Sequence, residues 1–132
     1  MADAIRVTGL KKHYGNHTVL NGIDFTVRQG EIFALLGGNG AGKTTALECI
    51  EGLRSCDCGE ITVNGKIGIQ LQSASLQAYI RPLEAVNLFS GWNKTKPDAA
   101  MLKSLGIYEL SKKIYAELST GEKRRLHLAL AL

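Results

Sequence analysis

A glycine-rich segment at residues 37–45 carries the clearest chemistry in the sequence. It holds a full G-x-x-x-x-G-K-[ST] pattern that ends in Lys43 and Thr44, between an apolar run and a stretch of good helix formers. Glycine allows backbone conformations that other residues avoid, so successive N–H groups can turn inward around an anion. The helix start adds its positive dipole end. The segment therefore predicts a loop that holds the phosphates of a nucleoside triphosphate, and residues 37–45 are called the phosphate loop below.

Each residue of the phosphate loop has a predicted role. Lys43 supplies a mobile positive charge for the β- and γ-phosphates, and the Thr44 hydroxyl is placed to ligate the Mg²⁺ that bridges them. The remaining predicted binding residues are Gly37, Gly38, Asn39, Gly40, Ala41, Gly42 and Thr45. A simple turn would explain the glycines but not a Lys-Thr pair at this offset.

The elements that must position this loop predict an α/β fold. An apolar run at residues 31–36 is typical of a strand buried on both faces of a parallel sheet, and residues 43–51 predict a helix that ends at Gly52. The Asn64-Gly65 pair predicts a hairpin. Other short strands are predicted from partial alternation and turn residues, at 5–10, 18–27, 59–63 and 66–69.

The second half of the sequence has a helical pattern. Pro82 and Pro97 each suit a first helical turn and precede spaced apolar residues. Ser119 and Glu122 form an S-x-x-E capping box, which predicts the start of a last helix.

Composition excludes several classes of protein. The 132 residues are 45% hydrophobic and 21% charged, as in one ordinary globular domain, and no apolar run approaches the ~20 residues of a membrane-spanning helix. The sequence start lacks the pattern of a secretory signal. Three cysteines without disulfide or zinc spacing favour a reducing cytosol, namely Cys49, Cys56 and Cys58. The mild charge of +4 and 6% aromatic residues predict no nucleic-acid partner.

Three further segments resemble the ATP-binding subunits of ABC transporters. Residues 118–122, Leu-Ser-Thr-Gly-Glu, precede a basic stretch and resemble the family's signature motif, usually Leu-Ser-Gly-Gly-Gln. Residues 67–72 resemble its Q-loop segment, with Gln72 in the functional position, and Tyr14 lies in a segment similar to its A-loop. The matches follow the family order and cover nearly the whole sequence.

This resemblance implies a P-loop NTPase core with an antiparallel β edge subdomain and a small helical subdomain. The implied division is a nucleotide-binding core at 1–72, a helical subdomain at 73–118 and the start of a signature helix at 119–132. Implied cofactors are ATP, with Tyr14 stacked on adenine, and Mg²⁺, held by Thr44 and Gln72. The implied catalytic residues are Lys43, Gln72, Ser119 and Gly121.

The resemblance also implies partners and a location. In the family the signature motif faces the γ-phosphate bound by a second ATP-binding subunit, in a head-to-tail dimer. The transmembrane permease is the other implied partner, contacted near Gln72 and the helical subdomain. The implied location is cytoplasmic, on the inner face of the membrane.

Two catalytic parts of the family are not found in the sequence. Hydrolysis there uses an Asp-Glu pair after a second buried strand and then a switch histidine, and no Asp-Glu pair occurs in these 132 residues. We therefore expect a C-terminally truncated chain with little or no ATPase activity and an open apolar sheet edge. The alternatives are a soluble ABC ATPase acting on nucleic acid or ribosomes, a different P-loop class such as a small-molecule kinase, and a catalytically dead nucleotide-binding fragment.

Overall fold

Two compact units make up the computed structural model, which describes residues 2–71 and 74–132. The first unit ends at Ile67, and the second runs from Gly68 to Leu132. The finer division at residues 72 and 118 stays a prediction.

The first unit is built on a three-stranded antiparallel sheet. Its strands are β1 (Asp3–Tyr14), β2 (His17–Arg28) and β3 (Cys58–Val63), in the order β2-β1-β3. A tight connection joins β1 to β2, since Tyr14 pairs with His17. The predicted strands at 5–10, 18–27 and 59–63 are confirmed, and the first two are longer than expected.

One helix, α1 (Lys43–Ile50), packs on this sheet. Its buried residues recur at positions three and four apart, which places them on one helix face. They form a single core cluster with three residues of the strands; the cluster consists of Val7, Leu10, Leu20, Ala46, Cys49 and Ile50. The predicted helix at 43–51 is therefore confirmed, with Glu51 as its C-cap.

Two predicted strands are wrong. The structure assigns no strand to residues 31–36, where Ile32 is 98% exposed and Leu36 is 87% exposed. A strand exists only where its N–H and C=O groups pair with a neighbour, and no strand among the described residues pairs with this run. Residues 66–69 also form no strand. Asn64 instead extends the β1–β3 pairing by one residue, since its N–H donates to the Ala4 carbonyl at 2.9 Å.

The second unit is helical. It contains α2 (Pro82–Asn93), α3 (Ala99–Ser104), α4 (Ile107–Leu110), a 3-10 helix (Tyr115–Glu117) and α5 (Thr120–Ala131). Its core consists of Val86, Leu102, Ile107, Leu110, Tyr115, Leu118, Leu126 and Ala129. The predicted helix starts at Pro82 and Ser119 are confirmed. None of the helices within residues 2–71 and 74–132 is long and apolar enough to cross a membrane.

Candidate functional site

The phosphate loop curls tightly before α1. Gly40 and Gly42 have φ angles of 80° and 93°, a left-handed conformation that favours glycine. The Ala41 N–H donates to the Gly38 carbonyl at 3.2 Å, which closes a turn of four residues. A Cβ on Gly37 would lie 3.2 Å from the Ala41 Cβ, so the two ends of the curl are close together.

Gly42 fixes the start of α1 against the sheet. A Cβ at this position would lie 2.8 Å from Leu20 Cδ2 and 2.9 Å from the Val19 carbonyl oxygen, both on β2. Only a residue without a side chain allows this approach. The sheet thereby sets where the first turn of the helix, and the residues that follow Gly42, must lie.

The start of α1 is open to a ligand. Gly42 is its N-cap, and no side chain within the described ranges caps it. The first N–H groups of a helix have no partner within the helix, so this end offers hydrogen-bond donors and the positive end of the helix dipole. Thr44 is exposed and Thr45 is half-buried in the same turn, which adds two hydroxyl groups.

The Lys43 ammonium lies over the curl of the loop. It donates to the carbonyls of Gly37 and of Gly38, the second at 2.8 Å. The sequence from residue 37 to residue 47 contains no acidic side chain that would neutralise this charge. One ammonium, two hydroxyls and uncapped helix N–H groups make a donor set that fits a phosphate group.

Tyr14 lies in the same unit, at the end of β1, with 43% of its surface exposed. Two cations lie near its ring: Lys12 Nζ is 5.5 Å from the ring centroid, and Arg54 Cζ is 5.6 Å from it. Arg54 is not among the predicted site residues; it follows α1 and is 40 residues from Tyr14 in the sequence. No sequence signal marks this contact, because it depends on where α1 ends on the sheet.

Ser119 and Gly121 lie in the second unit, at the N-terminus of α5. The Ser119 hydroxyl accepts from the Glu122 N–H at 3.2 Å, and Glu122 Oε1 accepts from the Ser119 N–H at 2.9 Å. This second bond is the main reason that the pKa of Glu122 is lowered, with a smaller contribution from Lys113. The expected capping box is therefore confirmed. Gly121 is exposed, with open space where a side chain would project.

Gln72 lies outside the described residues. The phosphate loop and Tyr14 therefore belong to one unit, and Ser119 and Gly121 belong to the other.

Known proteins of similar sequence include ATP-binding proteins of ABC transporters. The family model described as ABC transporter matches residues 20–132. The chain is 41% identical, over 98% of its length, to an aliphatic sulfonates import ATP-binding protein of Nocardia farcinica. It is 36% identical, over 97% of its length, to a linearmycin resistance ATP-binding protein of Bacillus subtilis.

A solved structure shares the fold. The ATP binding subunit of an ABC transporter superposes with a TM-score of 0.83 at 23% identity, and the match covers 97% of this chain and 61% of that one. The match covers 54% of the Nocardia protein and 47% of the Bacillus protein, so this chain spans about half the length of these relatives. With the family model covering residues 20–132, this chain belongs to the ABC transporter family and corresponds to part of its ATP-binding component.

Proposed function

We propose that this chain binds MgATP through the phosphate loop. The observation that carries the proposal is the convergence of the Lys43 ammonium and the uncapped start of α1 on the curl of residues 37–42. Family membership supports the choice of ATP. A small-molecule kinase is disfavoured because the family model extends through the signature motif to residue 132.

Four residues of the site have a proposed task in binding MgATP. Lys43 exchanges the carbonyls of Gly37 and Gly38 for phosphate oxygens, which are stronger partners for an ammonium because they are charged. The Thr44 hydroxyl and Gln72 hold Mg²⁺, and Tyr14 stacks on adenine. When bound, Mg²⁺ neutralises charge on the β- and γ-phosphates.

In the whole protein, we propose, this binding drives solute movement across a membrane. Ser119 and Gly121 then face the γ-phosphate held by a second ATP-binding subunit, where the N-terminus of α5 offers N–H donors. Closure of the two subunits on ATP moves a transmembrane permease. The proposed location is the cytoplasmic face of the membrane, through that permease.

Calorimetric titration of the chain with MgATP tests the proposal. Lys43→Ala removes a charge-assisted hydrogen bond, so we expect MgATP affinity to fall roughly tenfold to a hundredfold. Lys112→Ala is the matched control, because Lys112 forms an exposed ion pair with Glu109 in the other unit. No MgATP uptake by folded protein, or equal affinity in the Lys43→Ala variant, would contradict the proposal.

The same preparation tests hydrolysis. The 132 residues contain no Asp-Glu pair to hold Mg²⁺ and polarise water, so we expect phosphate release at background level. Turnover that Lys43→Ala abolishes would show this expectation to be wrong.

A further inference from the structure

A chain of contacts connects the helix of the phosphate loop to Tyr14. Glu48, on α1, accepts from Arg54 Nε at 2.5 Å, and its backbone carbonyl accepts from the Arg54 N–H at 3.2 Å. The Arg54 guanidinium lies over the Tyr14 ring, with Cζ 5.6 Å from the centroid. Three groups in contact therefore join α1 to the end of β1.

These contacts determine how freely the Tyr14 ring can move. The ring is 43% exposed at the end of a strand, beside a tight connection, so the sheet core holds only part of it. A guanidinium is planar and stacks on aromatic faces, and a carboxylate on its Nε restricts its orientation. The bond to Glu48 is also the main cause of the raised pKa of Arg54, and an arginine side chain is charged at every physiological pH in any case.

The second cation beside Tyr14 is held separately. Lys12 Nζ lies 5.5 Å from the ring centroid and 3.3 Å from Asp57 Oδ1. Lys12 is thus paired with Asp57, which precedes β3, whereas Arg54 is paired with Glu48 of α1. The Arg54 contact couples the ring to the helix that begins at the phosphate loop, because Arg54 is paired with Glu48 of that helix.

We propose that Arg54, held by Glu48, is a positioning residue that fixes the Tyr14 ring for the nucleotide base. This inference rests on the proposed function and extends it from the phosphates to the base. The phosphate loop acts on the triphosphate, and the Glu48–Arg54 pair acts only on the ring. Loss of Arg54 therefore lowers the affinity for a ligand that has a base and leaves unchanged the affinity for a ligand that has only phosphates.

Calorimetry with two probes, MgATP and magnesium tripolyphosphate, tests the inference. An exposed cation–π contact contributes ~0.5–1 kcal/mol, so Arg54→Ala is expected to weaken MgATP binding about two- to fivefold and to leave tripolyphosphate binding unchanged. Arg54→Lys keeps a cation but loses the planar fork, so we expect partial rescue. In a Tyr14→Ala background, Arg54→Ala is expected to have no additional effect, because its target is gone.

The outcomes separate this inference from the proposed function. If Tyr14→Ala weakens MgATP binding and Arg54→Ala does not, Arg54 has no positioning role and the inference is overturned. If Arg54→Ala weakens both probes equally, it acts on the fold of α1 rather than on the base, which also overturns it. If neither probe binds to the unsubstituted protein, the proposed function itself fails. Lys112→Ala, at the exposed ion pair with Glu109, is the control and should bind both probes normally.

Discussion

At the scale of single residues, Gly42 connects the sequence pattern to the geometry of the site. The pattern requires glycine before Lys43, and the structure gives two reasons for it. The φ angle of 93° is unfavourable for a side chain, and the Leu20 side chain and Val19 carbonyl occupy the space that a Cβ would need. One residue thus sets both the conformation of the loop and its position on β2.

Gly42→Ala is therefore expected to lower the free energy of unfolding by about 1–3 kcal/mol, from left-handed strain and close contact. Gly38→Ala is the matched control, because a Cβ there meets nothing within 4 Å and the backbone has no positive φ. Urea unfolding followed by circular dichroism measures both variants. Equal stability of the two would show that the approach of Gly42 to β2 does not constrain the loop.

At the scale of helices and strands, sequence predicts the elements that local residue patterns determine. Partial alternation and turn residues predict the strands at 5–10 and 18–27, which lie within β1 and β2, and the capping box of Ser119 and Glu122 predicts the start of α5. The strand expected at residues 31–36 fails because hydrophobicity alone cannot supply a pairing partner. Helix α4 and the 3-10 helix, with four and three residues, are too short to give a periodic signal.

Some residues of the candidate site can also be predicted from local sequence patterns, and others cannot. The phosphate loop is predictable because its residues are consecutive and each type has a chemical reason. The role of Arg54 cannot be predicted in this way, because its contact with Tyr14 spans 40 residues and depends on the packing of α1 on the sheet. Contacts between distant segments carry no local pattern.

The packing of α5 against the 3-10 helix gives a prediction of pH dependence. Tyr115 Oη and His127 Nε2 lie 3.0 Å apart. The pKa of His127 is lowered, mainly because the side chain is partly buried and secondly because the positive charge of Lys123 is nearby. The folded protein therefore binds this proton less readily than the unfolded chain. Stability should be full above the unfolded pKa of about 6.5 and should decrease as the pH falls through that value toward the lower folded pKa.

Urea unfolding at pH 7.5 and 5.5, followed through the fluorescence of Trp92 in the second unit, measures this effect. His127→Gln removes the titrating group, so its loss of stability between the two pH values should be smaller than that of the unsubstituted protein. His17→Gln is the control, since His17 is exposed on β2 of the first unit. An identical pH dependence in all three proteins would rule out His127 as the source.

At the scale of the whole molecule, the apolar run at residues 31–36 pairs with no strand among residues 2–71 and 74–132. Phe33 stacks on Phe25 with ring centroids 4.9 Å apart, but Ile32 and Leu36 are almost fully exposed. An apolar segment that is partly exposed and pairs with no strand is a template for association with another chain. We therefore expect this chain to self-associate through residues 31–36.

Replacing Ile32 and Leu36 together by Thr tests this expectation. Because both side chains are exposed, the free energy of unfolding should change by less than about 0.5 kcal/mol per site. The average mass in sedimentation equilibrium should fall toward that of the monomer, since each copy offers less apolar surface to the next. The matched control replaces Leu53 and Leu88 by Thr, since both are exposed leucines outside this segment. If the control lowers the mass as much, general surface hydrophobicity causes association, and the segment at 31–36 has no special part in it.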